Sequence, residues 1–308
     1  MKRLLRSQNH TIQGILLGLG AFTLWAISDV GIKFTGKASM PPLQMIVLIA
    51  LGGITFLLAT TAARKKVKAF IPVNKRMLLA AGVLGLVSSF VNIITFTYLP
   101  LTTVYAALFA SPMIAALMAR LFMKEPLGKL QFFYIFIGFC GAVMAVNPFS
   151  ADLHGDSALA WILLPIYPVL FASSTLFIRL LRRTDTNEAI SLYIPLIRVV
   201  VYGPLVLLSW HPMPVLYIAV ICGVGAMVSA GSLIFAQSLK LADPAVISPL
   251  HYSQLIWGTI FGYLFWQDLP AWYTITGAII IIVSGIKGAQ LASRREKELL
   301  AQAARDPL

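Results

Sequence analysis

Residues 99–127 read LPLTTVYAALFASPMIAALMARLFMKEPL, and residues 242–270 read ADPAVISPLHYSQLIWGTIFGYLFWQDLP. The two stretches align without gaps at an offset of 143 residues, which places Glu125 over Asp268. Each contains a predominantly apolar run of about 20 residues, the length that an α-helix needs to cross the hydrocarbon core of a bilayer. The pair therefore predicts a membrane protein that contains an internal repeat.

The composition supports lipid as the main surrounding of this chain. Of its 308 residues, 59% are hydrophobic and 11% are charged, whereas soluble domains are about half apolar and a quarter charged. The net charge of +13 comes from short basic clusters between long apolar runs, not from one polar face, so we interpret it as a topology signal and expect no nucleic-acid partner. The fold class predicted is an all-α integral membrane protein.

Ten apolar runs are long enough to span the bilayer. The first is too long for the core of a signal peptide and no cleavage site clearly ends it, so we expect the first helix to be retained. The runs cover residues 12–34, 42–63, 77–98, 102–123, 130–147, 158–181, 189–209, 215–239, 245–266 and 272–292.

The distribution of Lys and Arg predicts the orientation of the chain, because cytoplasmic loops hold an excess of these residues. With the N-terminus inside, the inner segments contain 21 of the 24 basic residues. The other three are Lys33, Lys37 and Arg198. We therefore expect a multi-pass protein of the bacterial inner membrane with both termini in the cytoplasm.

A second repeat signal lies at the front of each half of the chain. The segment TLWAISDVGIK at residues 23–33 matches VLFASSTLFIR at residues 169–179, with Lys33 over Arg179 at an offset of 146. Five helices per repeat is an odd number, so the two halves must enter the membrane in opposite directions. The predicted organisation is a first repeat over residues 12–147, a second over 158–292 and a charged cytoplasmic tail over 293–308.

The motifs SDVGIK in helix 1, LPLTTVYAALFASP in helix 4 and DPAVISPLHYSQLIWGTIFGYLFWQDLP in helix 9 resemble the EamA family of the drug/metabolite transporter superfamily. They are nearest in appearance to the subgroup that contains S-adenosylmethionine and riboflavin transporters. The resemblance implies a central cavity lined mainly by helices 1, 3, 4, 6, 8 and 9, with alternating access. Many relatives carry an Arg in helix 2, where this chain has the uncharged stretch QMIVLIALGG.

Ionisable residues inside a span cost about 2.5 to 3.5 kcal/mol each on insertion scales, so each requires a partner or a cavity. Asp29 and Lys33 lie four residues apart on one helix face, which predicts that they pair, as a functional group or as an ion pair at the outer edge. Arg198 has apolar residues on both sides, which favours an interior position for substrate binding or a structural pair. His251 offers either a titratable switch or a packing donor. Asp29, Lys33 and His251 are the ion-pair or coupling candidates.

Further polar and aromatic side chains lie on helices that the family uses for its cavity, although such aromatic residues also pack against neighbours or lipid. The complete set of candidate substrate-binding residues is Trp25, Asp29, Asn92, Tyr105, Ser174, Arg198, Gln237, His251, Tyr252, Gln254 and Trp257.

The sequence lacks the motifs of the common enzyme and cofactor sites. Residues 31–37 read GIKFTGK, but Ala38 replaces the Ser or Thr of a phosphate-binding loop, and no strand precedes it. The four His residues are scattered, and Cys140 and Cys222 lie singly in apolar runs. We therefore expect no enzyme activity, no cofactor and no metal site.

The sequence favours a secondary active transporter whose partners are a small-molecule substrate and the lipid bilayer. Asp29 would bind an ammonium group and Arg198 a carboxylate, which suits an amino acid or an S-adenosylmethionine-like zwitterion. Three alternatives remain open: a riboflavin transporter, an exporter of drugs or metallophore-type metabolites, and a scaffold subunit without transport. No pattern indicates an oligomeric state, a coupling ion or the direction of transport.

Overall fold

The structure is a computed structural model that describes residues 2–63, 70–123, 128–147, 155, 157–241 and 247–303. All regular secondary structure in these ranges is helical. The α-helices are α1 (Lys2–Lys37), α2 (Pro42–Ala63), α3 (Lys75–Tyr98), α4 (Leu101–Leu108), α5 (Ser111–Met123), α6 (Lys129–Val146), α7 (Ala158–Leu163), α8 (Tyr167–Leu181), α9 (Asn187–Leu208), α10 (Val215–Leu241), α11 (Ser253–Trp266) and α12 (Trp272–Ala303), and a 3₁₀ helix covers Ser248–Tyr252.

Three of the predicted spans are interrupted, each beside a proline. The run over 102–123 divides into α4 and α5 before Pro112, and the run over 158–181 divides into α7 and α8 at Pro165. The described part of the run over 245–266 begins as the 3₁₀ helix and continues as α11. Proline lacks a backbone N–H and disfavours the α conformation in the residue before it, which explains the interruptions.

The charged tail predicted for residues 293–308 does not begin with a break in the helix. Instead, α12 continues from the predicted tenth span through Ala303. Residues 304–308 of the predicted tail lie outside the described residues, as does Glu125 in the connection between α5 and α6.

Length and apolar composition identify six helical stretches in the described ranges that can cross a membrane. Shorter apolar helices cover Phe132–Val146, Tyr167–Leu181 and Trp272–Gly288. The six stretches are Ile12–Lys37, Pro42–Thr61, Lys75–Tyr98, Leu101–Met118, Asn187–Leu208 and Val215–Leu241.

The outer surface of the helical bundle is apolar. On α6, the side chains of Phe132, Phe133, Phe136 and Phe139 each expose more than half of their area. In water such a stripe would promote aggregation, whereas lipid tails solvate it. The chain is accordingly a multi-pass membrane protein.

Helix contacts bring the central residues together. Helix α1 packs against α10 and α3, and α3 also packs against α8 and α9. Helix α4 contacts α11, α6 and α8, while α6 and α12 form a long pair and α2 lies against α9 and α10. The interior is therefore the region where α1, α3, α4, α8 and α11 meet, and it includes fully buried aromatic side chains such as Phe96, Tyr105 and Phe109.

Glycines allow α2 and α10 to approach at backbone distance. A Cβ atom on Gly52 would lie 2.0 Å from the carbonyl oxygen of Cys222, and one on Gly225 would lie 2.0 Å from the carbonyl oxygen of Ile49. Small residues give this closeness between membrane helices, where packing rather than the hydrophobic effect drives association. Any larger residue at either position must separate the two helices.

We expect Gly225→Ala to lower the thermal unfolding midpoint of the detergent-purified protein, because overpacking a close contact costs about 1–3 kcal/mol. Gly223→Ala on the same helix is the matched control, since a Cβ at Gly223 meets no atom within 4 Å. Equal midpoints for the two variants would contradict the close contact.

The connection between α8 and α9 is attached to the connection between α2 and α3 by Asp185. Its buried carboxylate accepts hydrogen bonds from the backbone N–H of Val73 at 2.7 Å and of Asn74 at 3.2 Å, and from the Thr184 hydroxyl at 2.6 Å. Burial of the carboxylate raises its pKa, but the bonds from Thr184, Val73 and Asn74 together outweigh burial and leave the pKa below the ordinary value of 3.8.

Because the folded-state pKa of Asp185 is lowered, its contribution to stability is present above pH 3.8 and is lost as the pH falls below that value. We expect Asp185→Asn to reduce the unfolding free energy by about 1–3 kcal/mol at pH 7, and the difference from wild type to shrink below about pH 4. Glu188→Gln, in the first turn of α9, is the control and should cost less, because it removes only a favourable interaction with the helix dipole of about 0.3–1 kcal/mol. A difference for Asp185→Asn that stays constant down to pH 3 would disprove this role.

Candidate functional site

The first element of the candidate site is a carboxylate in the interior of the bundle. Tyr105 on α4 donates a hydrogen bond from its hydroxyl to Oδ2 of Asp29 on α1 at 2.7 Å. Only 1% of Tyr105 is exposed, and its ring lies against Gly258 of α11, where a Cβ atom would come within 2.6 Å of the ring. The glycine leaves the space that lets Tyr105 reach the carboxylate.

A second polar pair lies beside the first. Asn92 on α3 donates from Nδ2 to the hydroxyl of Tyr167 on α8. The ring of Phe96 joins the two pairs, with its centroid 5.5 Å from that of Tyr105 and 6.3 Å from that of Tyr167. Four helices therefore contribute to one interior cluster of hydrogen-bonding groups.

Arg198 on α9 contributes a cation near this cluster. Its guanidinium lies beside Gly85 of α3, where a Cβ atom would be 3.5 Å from a terminal nitrogen. The Nε atom is buried and has no hydrogen-bond partner among the described residues. Tyr167 experiences the charges of both Arg198 and Asp29. The Tyr167 hydroxyl thus lies in the field of an anion and a cation.

His251, in the 3₁₀ helix, is surrounded by aromatic rings. It stacks on Phe22 of α1 at 5.2 Å and lies 5.8 Å from Phe109 and 6.3 Å from Phe171 of α8. Its imidazole also hydrogen-bonds the side chain of Gln254. Phe171 contacts Tyr167 at 6.5 Å, which connects the aromatic group to the polar cluster.

Two more predicted residues border this aromatic group. Trp25 lies 5.4 Å from Phe22 and donates from Nε1 to the carbonyl of Val228 on α10 at 3.3 Å. Tyr252 lies 5.0 Å from Phe109. The two side chains extend the group towards α10 and α4.

Three predicted residues are not joined to the cluster by a hydrogen bond or ring contact in the described part of the chain. The hydroxyl of Ser174 is buried and has no partner among the described residues. Gln237 is exposed near the end of α10. Trp257 stacks on Phe261, at 5.6 Å with an interplanar angle of 17°.

The predicted pairing of Asp29 with Lys33 is wrong in this structure. Lys33 is 3% exposed and its Nζ lies 2.6 Å from Oδ2 of Asp268, which follows α11, and 4.7 Å from the centroid of the Trp266 ring. The spacing on α1 was compatible with a pair, but Asp268, in the connection after α11, binds the Lys33 ammonium and Tyr105 donates to Asp29. Sequence reasoning missed Asp268 as the partner, although the repeat alignment had singled it out.

A cavity of about 340 Å³ lies at one end of the bundle, where α1 ends and α2 begins. The predicted central cavity would lie elsewhere, in the interior where most of the candidate residues contact one another. In the described residues, no group of three or more His, Cys, Asp or Glu side chains could hold a metal ion. The cavity is lined by Gly36, Lys37, Ser39, Met40, Pro41, Pro42, Thr97 and Tyr98.

A helical membrane bundle with opposite charges in its interior is typical of proteins that move solutes across membranes. Comparison with known families agrees with this class. Residues 12–147 match the EamA-like transporter family. This match agrees with the resemblance seen in the motifs.

Curated relatives differ in what they carry. The chain is 22% identical over 279 residues to the pseudopaline exporter CntI of Pseudomonas aeruginosa, an alignment that covers 89% of this chain and 94% of the relative. It is 26% identical over 201 residues to the riboflavin transporter of Rhizobium johnstonii, covering 65% of each protein. It is 24% identical over 190 residues to the S-adenosylmethionine uptake transporter of Rickettsia bellii, covering 59% of this chain and 62% of the relative.

A solved crystal structure shares the fold. It superposes with a TM-score of 0.60 over 92% of this chain and 98% of the other chain, at 16% sequence identity. This similarity supports the helical architecture. The substrate does not follow from it, because one fold serves many functions.

Proposed function

We propose that the chain is a secondary active transporter that moves a small zwitterionic metabolite across the bacterial inner membrane by alternating access. The observation that carries the proposal is the placement of Asp29 and Arg198. Opposite charges act on Tyr167 from these two residues, and no ion pair joins them among the described residues. A ligand with an ammonium and a carboxylate would supply a counter-charge to each of them.

The energetic cost of burying charge supports the binding of a zwitterion by Asp29 and Arg198. Charged groups inside a membrane protein normally pair with each other or line a pathway, because an unpaired charge in a low-dielectric medium is costly. Asp29 has one hydroxyl donor, and the Nε atom of Arg198 has no partner in the described ranges. Charge-assisted hydrogen bonds from a bound zwitterion would compensate both groups.

The aromatic group offers a surface for the rest of the substrate. Phe22, Trp25, Phe171 and His251 lie within ring-contact distance of their neighbours beside the polar cluster. Aromatic faces bind rings by stacking and bind cations through their quadrupole. The combination suits an amino-acid-like or S-adenosylmethionine-like molecule.

The proposed architecture is ten transmembrane helices arranged as two inverted five-helix repeats, residues 12–147 and 158–292. Equivalent breaks support it: α5 begins at Ser111 and α11 begins at Ser253, which differ by one residue from the repeat offset of 143. Helix contacts support it too, since α1 packs on α10 as α8 packs on α3, which are corresponding pairs of the two repeats. The distribution of Lys and Arg supports an orientation of this arrangement with both termini in the cytoplasm.

An exporter of a metallophore-type metabolite is the second candidate. The pseudopaline exporter aligns with this chain over 94% of its length, more than the riboflavin and S-adenosylmethionine transporters compared above. The same alternating cavity can work in either direction, because the gradients set the net flux. Riboflavin remains a third candidate that would depend on the aromatic group.

The test is substrate flux into proteoliposomes with S-adenosylmethionine, amino acids and riboflavin as separate probes. We expect saturable flux of a zwitterion, and a loss of about tenfold or more for Asp29→Asn and for Arg198→Gln, because each variant removes a charge-assisted bond worth about 1.5–3 kcal/mol. Lys240→Gln, an exposed cation in the last turn of α10, is the matched control and should leave flux unchanged.

Folding must be measured on the same samples by size-exclusion chromatography and thermal unfolding. Folded variants without flux support the binding roles. A different result would favour a scaffold in which the charges hold helices together. In that case the variants fail to fold, and wild type shows no saturable flux of any probe.

A further inference from the structure

The cavity of about 340 Å³ at the end of α1 is separate from the interior cluster, and its wall combines polar and apolar groups. Lys37 supplies a cation, and Ser39, Thr97 and Tyr98 supply hydroxyls that can donate hydrogen bonds. A methionine and two prolines form the apolar part of the wall. The described lining contains no Asp or Glu, so its charge favours an anionic ligand.

The hydroxyl of Thr97 is buried in this wall and is unpaired in the described part of the chain. The residue is 3% exposed, and its Oγ1 atom has no hydrogen-bond partner there. Thr23, Thr35 and Thr95 each donate to the carbonyl four residues earlier in their own helix, which satisfies a hydroxyl inside a helix. Thr97 instead packs against Gly36 of α1, where a Cβ atom would clash with its Oγ1. A buried hydroxyl without a partner is costly, and a ligand in the cavity would remove that cost.

Lys37 keeps an uncompensated positive charge at the same place. Its Nζ atom lies 5.9 Å from the centroid of the Tyr98 ring, a cation–π contact that holds the ammonium beside the cavity. The nearby carboxylate of Asp268 binds Lys33, one turn earlier on α1. The charge of Lys37 also acts on Lys33. No carboxylate pairs with Lys37 in the described ranges, so this end of the bundle attracts anions.

The backbone between α1 and α2 adds further donors. The N–H of Met40 donates to the carbonyl of Thr35 at 3.3 Å, and the N–H of Ser39 donates to that of Gly36 at 3.0 Å. These bonds form a helix-terminating motif in which Ser39, with a φ of 64°, occupies the left-handed position that usually holds glycine. The serine contributes a hydroxyl that glycine lacks. Helix α2 then begins at Pro42, and the first N–H groups of a helix lack partners within it and carry partial positive charge.

We propose that this cavity is a binding site for a phosphate group, with Lys37 as the counter-charge and the hydroxyls of Thr97 and Ser39 as donors. A phosphate has more acceptor oxygens than a carboxylate and can use a cation, two hydroxyls and the start of a helix together. The apolar part of the wall then accommodates the group that the phosphate esterifies. The site is separate from Asp29 and Arg198, and it does not depend on the proposed function.

Two sources could supply the phosphate group, a soluble phosphate compound and the headgroup of an anionic phospholipid. The first probe is radiolabelled inorganic phosphate, measured by equilibrium dialysis of the full chain in a non-ionic detergent at fixed ionic strength. We expect saturable binding of one phosphate per chain, with acetate as a weak competitor. The second probe is short-chain phosphatidylglycerol compared with short-chain phosphatidylcholine by native mass spectrometry.

The variants Lys37→Gln and Thr97→Val test the two side chains that carry the proposal. We expect Lys37→Gln to weaken binding by about tenfold, because it removes a charge-assisted hydrogen bond, and Thr97→Val to weaken it by about threefold, because it removes a neutral one. Lys240→Gln, an exposed cation in the last turn of α10, and Thr95→Val, whose hydroxyl donates to Val91, are the matched controls and should leave binding unchanged.

A merely structural role of Thr97 has a different result. Without phosphate, Thr97→Val should not lower the thermal unfolding midpoint, because it removes a buried hydroxyl that is unpaired in the described ranges. Ser39→Gly should also fold, because glycine adopts the left-handed conformation without strain, and it should weaken binding. This variant keeps the test available if Thr97→Val does not fold.

Weakening by both Lys37→Gln and Thr97→Val supports the site for whichever probe shows it. Inorganic phosphate as that probe identifies a soluble ligand, and phosphatidylglycerol alone identifies a lipid headgroup. The proposal is overturned if neither probe binds wild type, or if only Lys37→Gln weakens binding, which indicates surface ion pairing. It is also overturned if Arg198→Gln abolishes phosphate binding while Lys37→Gln does not change it, because the phosphate then binds in the interior. Each of these outcomes is independent of substrate flux.

Discussion

Burial of charge in a medium without water is the constraint on which the arrangement of this molecule depends. Lys33 satisfies it with Asp268 at 2.6 Å, and Asp29 satisfies it partly with the Tyr105 hydroxyl at 2.7 Å. Arg198 leaves its buried Nε atom without a partner in the described part of the chain. The degree of compensation thus separates the three charges into a closed pair at one end and two groups in the interior that a ligand can complete.

The breaks in the helices also place residues in the interior of the bundle. In a bilayer, non-helical backbone is tolerated only where protein or a cavity satisfies it, so the prolines at these breaks are permitted where neighbouring helices cover them. The break between α4 and α5 buries Phe109 and Ala110, and the 3₁₀ helix presents His251 to the same aromatic group. Gly258 and Gly85 then give Tyr105 and Arg198 the space that they occupy beside α11 and α3.

The sequence was sufficient to predict the all-helical class, because each span is a local property of about 20 consecutive residues. It predicted the run over 42–63 with the same bounds as α2. It could not place the breaks, because a proline near the start of a helical segment is compatible with either a kink or a break.

The contact partners of the candidate site residues were harder to predict than the candidate residues themselves. Asp29, Asn92, Tyr105 and Arg198 were found because a polar residue in an apolar run stands out. The contacts of Phe22, Phe96, Phe109 and Phe171 had no such signal, since any phenylalanine in a span suits packing or lipid equally well. Asp268 was visible in the repeat, yet the distance of 235 residues that separates it from Lys33 hid the pair.

The most direct measurement is thermal stabilisation of the detergent-purified protein by S-adenosylmethionine and by its decarboxylated analogue, with wild type and Arg198→Gln compared at equal ligand concentration. A ligand that binds only the folded state raises the unfolding midpoint, and at equal concentration the ligand that binds more tightly raises it further. If Arg198 binds the carboxylate, we expect the full ligand to stabilise wild type more than the analogue does, and the two ligands to stabilise Arg198→Gln equally. Should the advantage of the carboxylate persist undiminished in Arg198→Gln, the interior charges would not be the binding site of a zwitterion.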